Sequence, residues 1–197
     1  MKMSQAKKPR LSTTQLITLG FLAAVLAGSL LLTLPVSSAS GEMTPYLDAL
    51  FTSATSVCVT GLTVVDTFSH CSLFGKIVIL LLIQLGGLGV ISFTTGIMVL
   101  IGRKITLKDR LLLESAFNLD NLSGLVRFLG KVFKGTLLIE GVGALLSMPV
   151  FCPRYGLRGI WISVFHSVSA FCNAGIDILG PNSLEPYVNN VWLNLVT

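Results

Sequence analysis

Long apolar stretches alternate with short polar segments along the chain. Leu16–Val36 contains no charged residue, and at about 1.5 Å per residue it is long enough to cross a hydrocarbon core of about 30 Å. Ile77–Gly102 is a second uncharged stretch, and Gly135–Cys152 is a third, interrupted only by Glu140. Val188–Thr197 has the character of the beginning of a fourth. The pattern predicts three membrane-spanning helices and the start of another.

A shorter pattern between the first two spans predicts a helix that enters the membrane without crossing it. Thr44 can cap a helix and Pro45 suits its first turn, and Tyr46–Ser56 would extend about 16 Å, roughly half of a bilayer. The non-helical residues Cys58–Leu62 follow. Irregular backbone at membrane depth is tolerated only inside protein or along a water-filled path, because unpaired N–H and C=O groups are costly in lipid. We expect this re-entrant segment to line such a path.

The re-entrant segment occurs twice. FTSATSVCVTGL at Phe51–Leu62 matches FHSVSAFCNAGI at Phe165–Ile176, at an offset of 114 residues (165 − 51). The same offset relates LLTLPV at Leu31–Val36 to LLSMPV at Leu145–Val150. Agreement at two distant places without a gap predicts a duplicated unit. A duplicated packing scaffold without a pore is the alternative interpretation.

The predicted fold class is an all-α membrane protein built from tandem units of helix, re-entrant pore helix and helix. Leu107–Phe128 mixes apolar and charged positions and is predicted to be an amphipathic connector at the cytoplasmic surface. At the same offset the second span would recur at 191–216, beyond Thr197, so we expect a piece of a chain of about four units. The predicted segments are an N-terminal segment at 1–14, a first unit at 15–102, the connector at 103–127, and a second unit at 128–197 that lacks most of its last helix.

The composition indicates a membrane protein, and its basic residues are unevenly distributed. With 52% hydrophobic and only 12% charged residues and a mean hydropathy of +0.81, the chain does not suit a water-soluble domain. The net charge of +5 does not indicate nucleic acid, because the basic residues are scattered among apolar runs. Most of them fall on one side of the predicted layout: Lys2, Lys7, Lys8, Arg10, Arg103, Lys104, Lys108, Arg110, Arg127, Lys131 and Lys134.

This asymmetry predicts orientation, because cytoplasmic loops carry an excess of Lys and Arg. We expect a multi-pass protein of the plasma membrane, in a bacterium the inner membrane, with a cytoplasmic N-terminus and membrane lipid around it. The opposite face is predicted to hold five acidic residues, which would attract a cation: Glu42, Asp48, Asp66, Asp177 and Glu185.

The chemistry expected of the re-entrant segments comes from their backbone. The C-terminal end of the short helix carries a partial negative charge and points toward the membrane interior, where it favours a cation. Carbonyl groups after this end can replace the hydration shell of an ion, and glycine allows the unusual dihedral angles that aim them inward. The predicted filter residues are Val59, Thr60 and Gly61 in the first unit and Asn173, Ala174 and Gly175 in the second. The predicted supporting residues are Thr55, Cys58, Ser169 and Cys172.

Enzymatic and side-chain metal chemistry are disfavoured. Cys58 has no base near it in the predicted layout, and His70, Cys71 and His166 lack the spacing of metal ligands. We expect no enzyme activity and no covalently bound cofactor.

Three motifs carry a resemblance to a known family. TSVCVTGL, SAFCNAGI and QLGGLG at Gln84–Gly89 resemble the potassium-translocating subunit of the Trk/Ktr/HKT superfamily, and the Ktr type most of all. The resemblance covers the whole chain. It implies four linked units around one pore, each with a filter glycine, of which Gly61 and Gly175 would be the first two. It implies K+ as the transported ion. Because a single glycine per filter leaves the pore less constrained, we also expect some passage of Na+.

The resemblance also implies partners and limits. A cytoplasmic ring of nucleotide-binding regulatory subunits and a homodimer of the full-length protein would be expected. A gate in the third unit and a positive residue in the fourth would lie outside this chain, so we expect residues 1–197 alone not to conduct. A non-conducting membrane assembly or scaffold protein is the alternative function.

Two features of the spans allow more than one interpretation. The glycines of the second span favour close packing, with a hinge as the alternative; they are Gly86, Gly87, Gly89 and Gly96. Glu140 corresponds to Leu26 at the offset of 114 (140 − 26), so it is not shared between the units. We expect it to make an inward-facing structural hydrogen bond rather than to bind an ion.

Overall fold

The computed structural model of the chain describes residues 13–89, residue 92 and residues 125–197. Over these ranges the structure is mostly helical, and the sole strand-like pairing is an isolated bridge between Ser38 and Cys71. This agrees with the predicted all-α class. The helices are α1 (Thr13–Thr33), α2 (Tyr46–Cys58), α3 (Thr67–His70), α4 (Leu73–Leu88), α5 (Leu125–Tyr155), α6 (Arg158–Phe171) and α7 (Val191–Val196), with 3-10 turns at Pro35–Ser37 and Glu185–Tyr187.

Helix α1 covers the first predicted span but ends before Val36. Its 21 residues extend about 32 Å. Leu34 has an extended backbone (φ −63°, ψ 142°), because the ring of the following Pro35 disfavours the helical conformation in the preceding residue. The helix therefore ends at Thr33 and the chain continues as a 3-10 turn.

Helix α5 continues through Pro149, the proline that corresponds to Pro35. Its 31 residues begin ten positions before the predicted third span and contain Pro149 and Pro153 inside the helix. A proline within a helix has no N–H to donate to the carbonyl four residues earlier. Close to the position of that missing bond, the Trp192 indole N–H donates to the Leu146 carbonyl at 2.8 Å. Among the described residues, Gly130–Tyr155 is the one helix long and apolar enough to cross a membrane by length and composition.

The second span and the connector are described only in part. Helix α4 covers the first portion of the predicted Ile77–Gly102 span and is a shorter apolar helix, as is Ile17–Thr33. The rest of that span, apart from Gly89 and residue 92, lies outside the described residues, as does the connector predicted at 103–127 apart from its last three residues. Those last three residues belong to α5.

The start of the re-entrant helix differs from the prediction in one respect. The residue before α2 is Pro45, and no side chain caps the helix there. The predicted cap Thr44 instead places its Oγ1 2.9 Å from His70 Nε2. The prediction was wrong because His70, the last residue of α3, pairs with the Thr44 hydroxyl that was expected to cap α2.

The helices pack so that α4 touches both halves of the described structure. Helix α1 contacts α2 and α4, α2 contacts α4, α5 contacts α6 and α7, and α4 also contacts α6. The largest fully buried side chains include Phe151, Phe165 and Ile79. Leu30 on α1 and Leu138 on α5 are 63% and 66% exposed. Exposed leucines along these helices suit contact with lipid chains.

Candidate ion-binding loops

The C-terminal ends of α2 and α6 lead into two loops with the same unusual backbone. Val59 has φ 56° and Asn173, at the offset of 114 (173 − 59), has φ 57°. Two residues further on, Gly61 and Gly175 have φ 74° and 67°. Positive φ is uncommon for residues other than glycine and unfavourable for a β-branched one. Its recurrence at equivalent positions indicates that the two loops have the same backbone path.

The first loop is fastened to its own helix by Thr55. The Thr60 N–H donates to the Thr55 carbonyl at 3.1 Å, and the Leu62 N–H donates to Thr55 Oγ1 at 3.0 Å. The hydroxyls of Thr55 and Thr60 lie 2.6 Å apart. Thr55 is buried at 4% exposure, so these bonds replace water that the site excludes. The structure thus places this predicted supporting residue against the loop.

The second loop is fastened in the same way by Ser169. The Ala174 N–H donates to the Ser169 carbonyl at 2.7 Å, and the Ile176 N–H donates to Ser169 Oγ at 3.2 Å. The Ser169 hydroxyl in turn donates to the Ile176 carbonyl at 2.5 Å. Each loop is thus bonded back to a hydroxyl one turn inside the preceding helix.

The two loops meet each other. A Cβ added to Gly61 would lie 2.8 Å from the Ala174 carbonyl oxygen, and one added to Gly175 would lie 3.5 Å from the Gly61 Cα. At Gly61 both the positive φ and the neighbouring backbone exclude a side chain. Residues more than a hundred positions apart therefore form one continuous surface of backbone.

The carbonyl groups of this surface are free of donors from the described residues. Within residues 13–89, 92 and 125–197, no N–H or hydroxyl donates to the predicted filter carbonyls. Backbone carbonyl oxygens without a protein partner are the groups that coordinate an alkali cation in a filter. The carbonyls in question belong to Val59, Thr60, Gly61, Asn173, Ala174 and Gly175.

The two predicted supporting cysteines differ. Cys58 is exposed, and no hydrogen bond to a described residue involves its thiol, so its supporting role stays a prediction. Cys172 is buried and its Sγ donates to Gln84 Oε1 at 3.2 Å. Only the second loop is therefore tied through its cysteine to helix α4.

An open cavity of about 220 Å³ borders the second loop. Asn173, Gly175 and Asp177 are among its lining residues. The Asp177 carboxylate accepts from the Leu179 N–H at 2.9 Å and so is held close to the loop. A carboxylate at the mouth of a cleft raises the local concentration of cations.

The glycines of α4 make close contacts with the ends of both short helices. A Cβ at Gly86 would overlap the Val57 carbonyl of α2, and one at Gly87 would overlap the Cys172 side chain after α6. Close packing, rather than a hinge, is confirmed for these two residues. Gly89 has φ 77° and ends α4, while Gly96 lies outside the described residues.

A pair of serine bonds was not foreseen from the sequence. Ser53 Oγ donates to the Val25 carbonyl and Ser167 Oγ donates to the Glu140 carbonyl, each at 2.7 Å. By these contacts Glu140 is equivalent to Val25, an offset of 115 (140 − 25), and not to Leu26. The correction arises because α5 and α1 pack one residue out of register with the loops. The available signal was the repetition of serine itself at 53 and 167.

Sequence comparison identifies the family. A family profile described as TrkH, cation transport protein, matches residues 2–197. The chain belongs to the TrkH family of cation transport proteins. This confirms the resemblance to the Trk/Ktr superfamily, and the family is one of transporters and not of enzymes.

Several proteins of similar sequence are named as potassium uptake proteins. The chain is 42% identical over 195 residues to the potassium/sodium uptake protein NtpJ of Enterococcus hirae, covering 98% of this chain and 43% of that protein. It is 39% identical over 188 residues to the Ktr system potassium uptake protein B of Bacillus subtilis, covering 95% and 42%. A second Bacillus subtilis relative, the Ktr system potassium uptake protein D, is 36% identical over 193 residues. The chain spans less than half the length of these relatives.

Proposed function

We propose that the two loops are selectivity-filter segments of a potassium uptake pore in the plasma membrane, and that this chain belongs to the pore-forming subunit of a Trk/Ktr-type system. Val59–Gly61 and Asn173–Gly175 would bind K+ through backbone carbonyls in place of its hydration shell. The observation that carries the proposal is that both loops share one positive-φ backbone and meet at Gly61 and Ala174.

The choice of ion rests on the family. Each of the relatives named above is called a potassium uptake protein, and one of them is also called a sodium uptake protein. A single glycine in each loop constrains the carbonyls less than two would, so K+ would be preferred and some Na+ would pass.

The proposed unit consists of an outer helix, a pore helix and an inner helix. In the first unit these are α1, α2 and α4, and in the second α5, α6 and a helix that starts at α7. Two loops do not surround an ion, so further filter segments would complete the ring. On the cytoplasmic side, a ring of nucleotide-binding regulatory subunits would contact the connector Leu107–Phe128, with a connector that lies on lipid headgroups as the alternative. The whole protein would form a homodimer.

Replacement of the two loop glycines by serine tests the proposal. Gly61→Ser and Gly175→Ser would each lower the preference for K+ over Na+ about tenfold, because a Cβ at positive φ costs about 1–2 kcal/mol and turning a carbonyl away relieves that strain. The measurement is K+ uptake in competition with Na+, in a cell without other K+ uptake systems, with the transporter expressed from its complete reading frame and its level in the membrane checked.

The chain offers matched controls for the backbone strain. Gly41 has the same φ as Gly61, 74°, and Gly156 has φ 59°, yet an added Cβ meets nothing within 4 Å at either position. Gly41→Ser and Gly156→Ser should retain the parental selectivity. If the loop variants also retain it while reaching the membrane normally, the loops are not the filter. Absence of uptake by the parent would favour the non-conducting assembly protein.

A further inference from the structure

A buried polar bridge joins helices α4, α5 and the end of α6. Gln84 Nε2 donates to Glu140 Oε2 at 2.6 Å, and Gln84 Oε1 accepts from Cys172 Sγ at 3.2 Å. The carboxyl oxygen accepts while the thiol donates, so these partners fix the amide of Gln84 in one orientation. Glu140 is only 5% exposed. The bridge is thus a directional connection between three elements.

The bridge lies where the second loop begins. Cys172 directly precedes Asn173, the first residue of that loop with positive φ. Gln84 is two residues before Gly86, which touches the end of α2, and three before Gly87, which touches Cys172. Helix α4 therefore contacts the base of both loops, and Gln84 is its hydrogen-bonding contact with the second.

Packing of the second unit does not require the Glu140 side chain. The bond from α6 to α5 uses the Glu140 backbone carbonyl, which accepts from Ser167, and the first unit makes the same bond with Val25. The carboxyl group is therefore an addition to the shared scaffold. A polar group inside a membrane span is costly and is retained for a function. Its Oε1 has no partner among the described residues, so the cluster is not arranged for stability alone.

We propose that Glu140 is a positioning residue for the second filter loop. By holding Gln84, and through it Cys172, Glu140 sets the position of Asn173–Gly175 relative to Gly61 and thereby the discrimination between K+ and Na+. The proposal rests on the proposed function of the loops. It assigns Glu140 no contact with the transported ion.

Glutamine and leucine variants of Glu140 distinguish a positioning role from ion binding and from no role. Glu140→Gln keeps an acceptor for the Gln84 amide, whereas Glu140→Leu and Gln84→Leu each remove the bridge. Leu138→Ala, at a 66% exposed position of the same helix, is the control. All variants are made in the transporter expressed from its complete reading frame, and K+ uptake in competition with Na+ is measured for each.

A second readout does not depend on transport. In a background with Cys58, Cys71 and Cys152 replaced by Ser, the rate of modification of Cys172 by a membrane-permeant maleimide reports whether the loop base is held. We expect Glu140→Leu and Gln84→Leu to raise this rate about 2- to 10-fold, as for loss of one hydrogen bond, and to lower selectivity. The double variant should exceed neither single variant, since both changes break one bridge. Glu140→Gln and Leu138→Ala should match the parent in both measurements.

Two results would overturn the proposal. If Glu140→Gln loses uptake as Glu140→Leu does while Cys172 stays protected, Glu140 is an ion ligand. If Glu140→Leu changes neither Cys172 reactivity nor selectivity, the bridge positions nothing. Gln84→Leu tests the same bridge should Glu140→Leu not reach the membrane. A parent without K+ preference would contradict the proposed function, while the Cys172 rates would still test the bridge.

Discussion

At the scale of single residues, the two loops depend on backbone angles that most side chains avoid. Val59 and Asn173 both have positive φ; asparagine adopts this conformation at little cost, whereas valine is strained in it. The sequence indicated the importance of the two glycines through their repetition. It did not indicate the left-handed residues, because Val59 and Asn173 share no side-chain chemistry and only the fold reveals their common angle.

Replacement of Asn173 tests the backbone explanation. Asn173→Val should destabilise the protein by about 1 kcal/mol, since a β-branched residue is strained at φ 57°. Asn173→Gly should be close to neutral, because glycine takes this angle without a steric cost. The midpoint of thermal unfolding in detergent measures both. Equal losses in the two variants would mean that the amide side chain, and not the backbone angle, matters.

The hydroxyl of Thr55 provides a second test at this scale. Thr55→Val removes the acceptor of the Leu62 N–H and should cost about 1 kcal/mol of stability together with part of the K+ selectivity. Thr55→Ser keeps the hydroxyl and should retain the selectivity. The measurements are thermal unfolding and competitive uptake. If Thr55→Val behaves as Thr55→Ser does, the hydroxyl does not hold the loop.

At the scale of helices, hydropathy located the elements and local chemistry set their ends. The apolar runs predicted as the first and third spans are helical, as α1 and α5, and the sequence repeat aligns Pro35 with Pro149 at an offset of 114 (149 − 35). Proline nevertheless ends α1 at position 35 and lies inside α5 at position 149. Near Pro149, the Leu146 carbonyl accepts from the indole N–H of Trp192, which lies 46 positions later (192 − 146). Contacts from distant segments, such as His70 on Thr44, were equally invisible in the local sequence.

Replacement by alanine should change the stability in opposite directions at a glycine of α4 and at a glycine of α5. Gly86→Ala should destabilise by roughly 1–3 kcal/mol, because the new methyl overlaps the Val57 carbonyl. Gly141→Ala in α5 meets nothing within 4 Å and should stabilise by about 0.5–1 kcal/mol through its higher helix propensity. Thermal unfolding of the two variants checks this. A destabilised Gly141→Ala would show that glycine is required in these helices for another reason.

At the scale of the whole molecule, the distribution of Lys and Arg predicts which face is outside. Cysteine placed at Ser40 should react with an impermeant maleimide in intact cells, and cysteine at Ser4 or Ser123 should not. Ser40 is a better site than Ser72, since Ser72 caps α4 through the Gly75 N–H. Labelling at position 123 from outside would reverse the layout.

The native Cys71 gives a pH-dependent check on the same face. Burial raises the pKa of its thiol to about 11, against a smaller opposing effect of Lys76. Since the thiolate is the reactive form, Cys71 should label slowly at pH 7 and faster as the pH rises toward 11. Labelling at pH 7 as fast as at a free surface cysteine would contradict this burial.

The contacts of α4 also affect how the protein is made. Gly86 meets α2, which precedes it in the chain, whereas the partner of Gly87 is Cys172, which is 85 residues later (172 − 87). At about 5–20 residues per second, the ribosome needs on the order of 4–17 s to add that partner. During this interval the newly inserted α4 has a glycine surface that only lipid or the translocation machinery can cover. The contact between Gly87 of the first unit and Cys172 of the second therefore forms only after the first unit has been made.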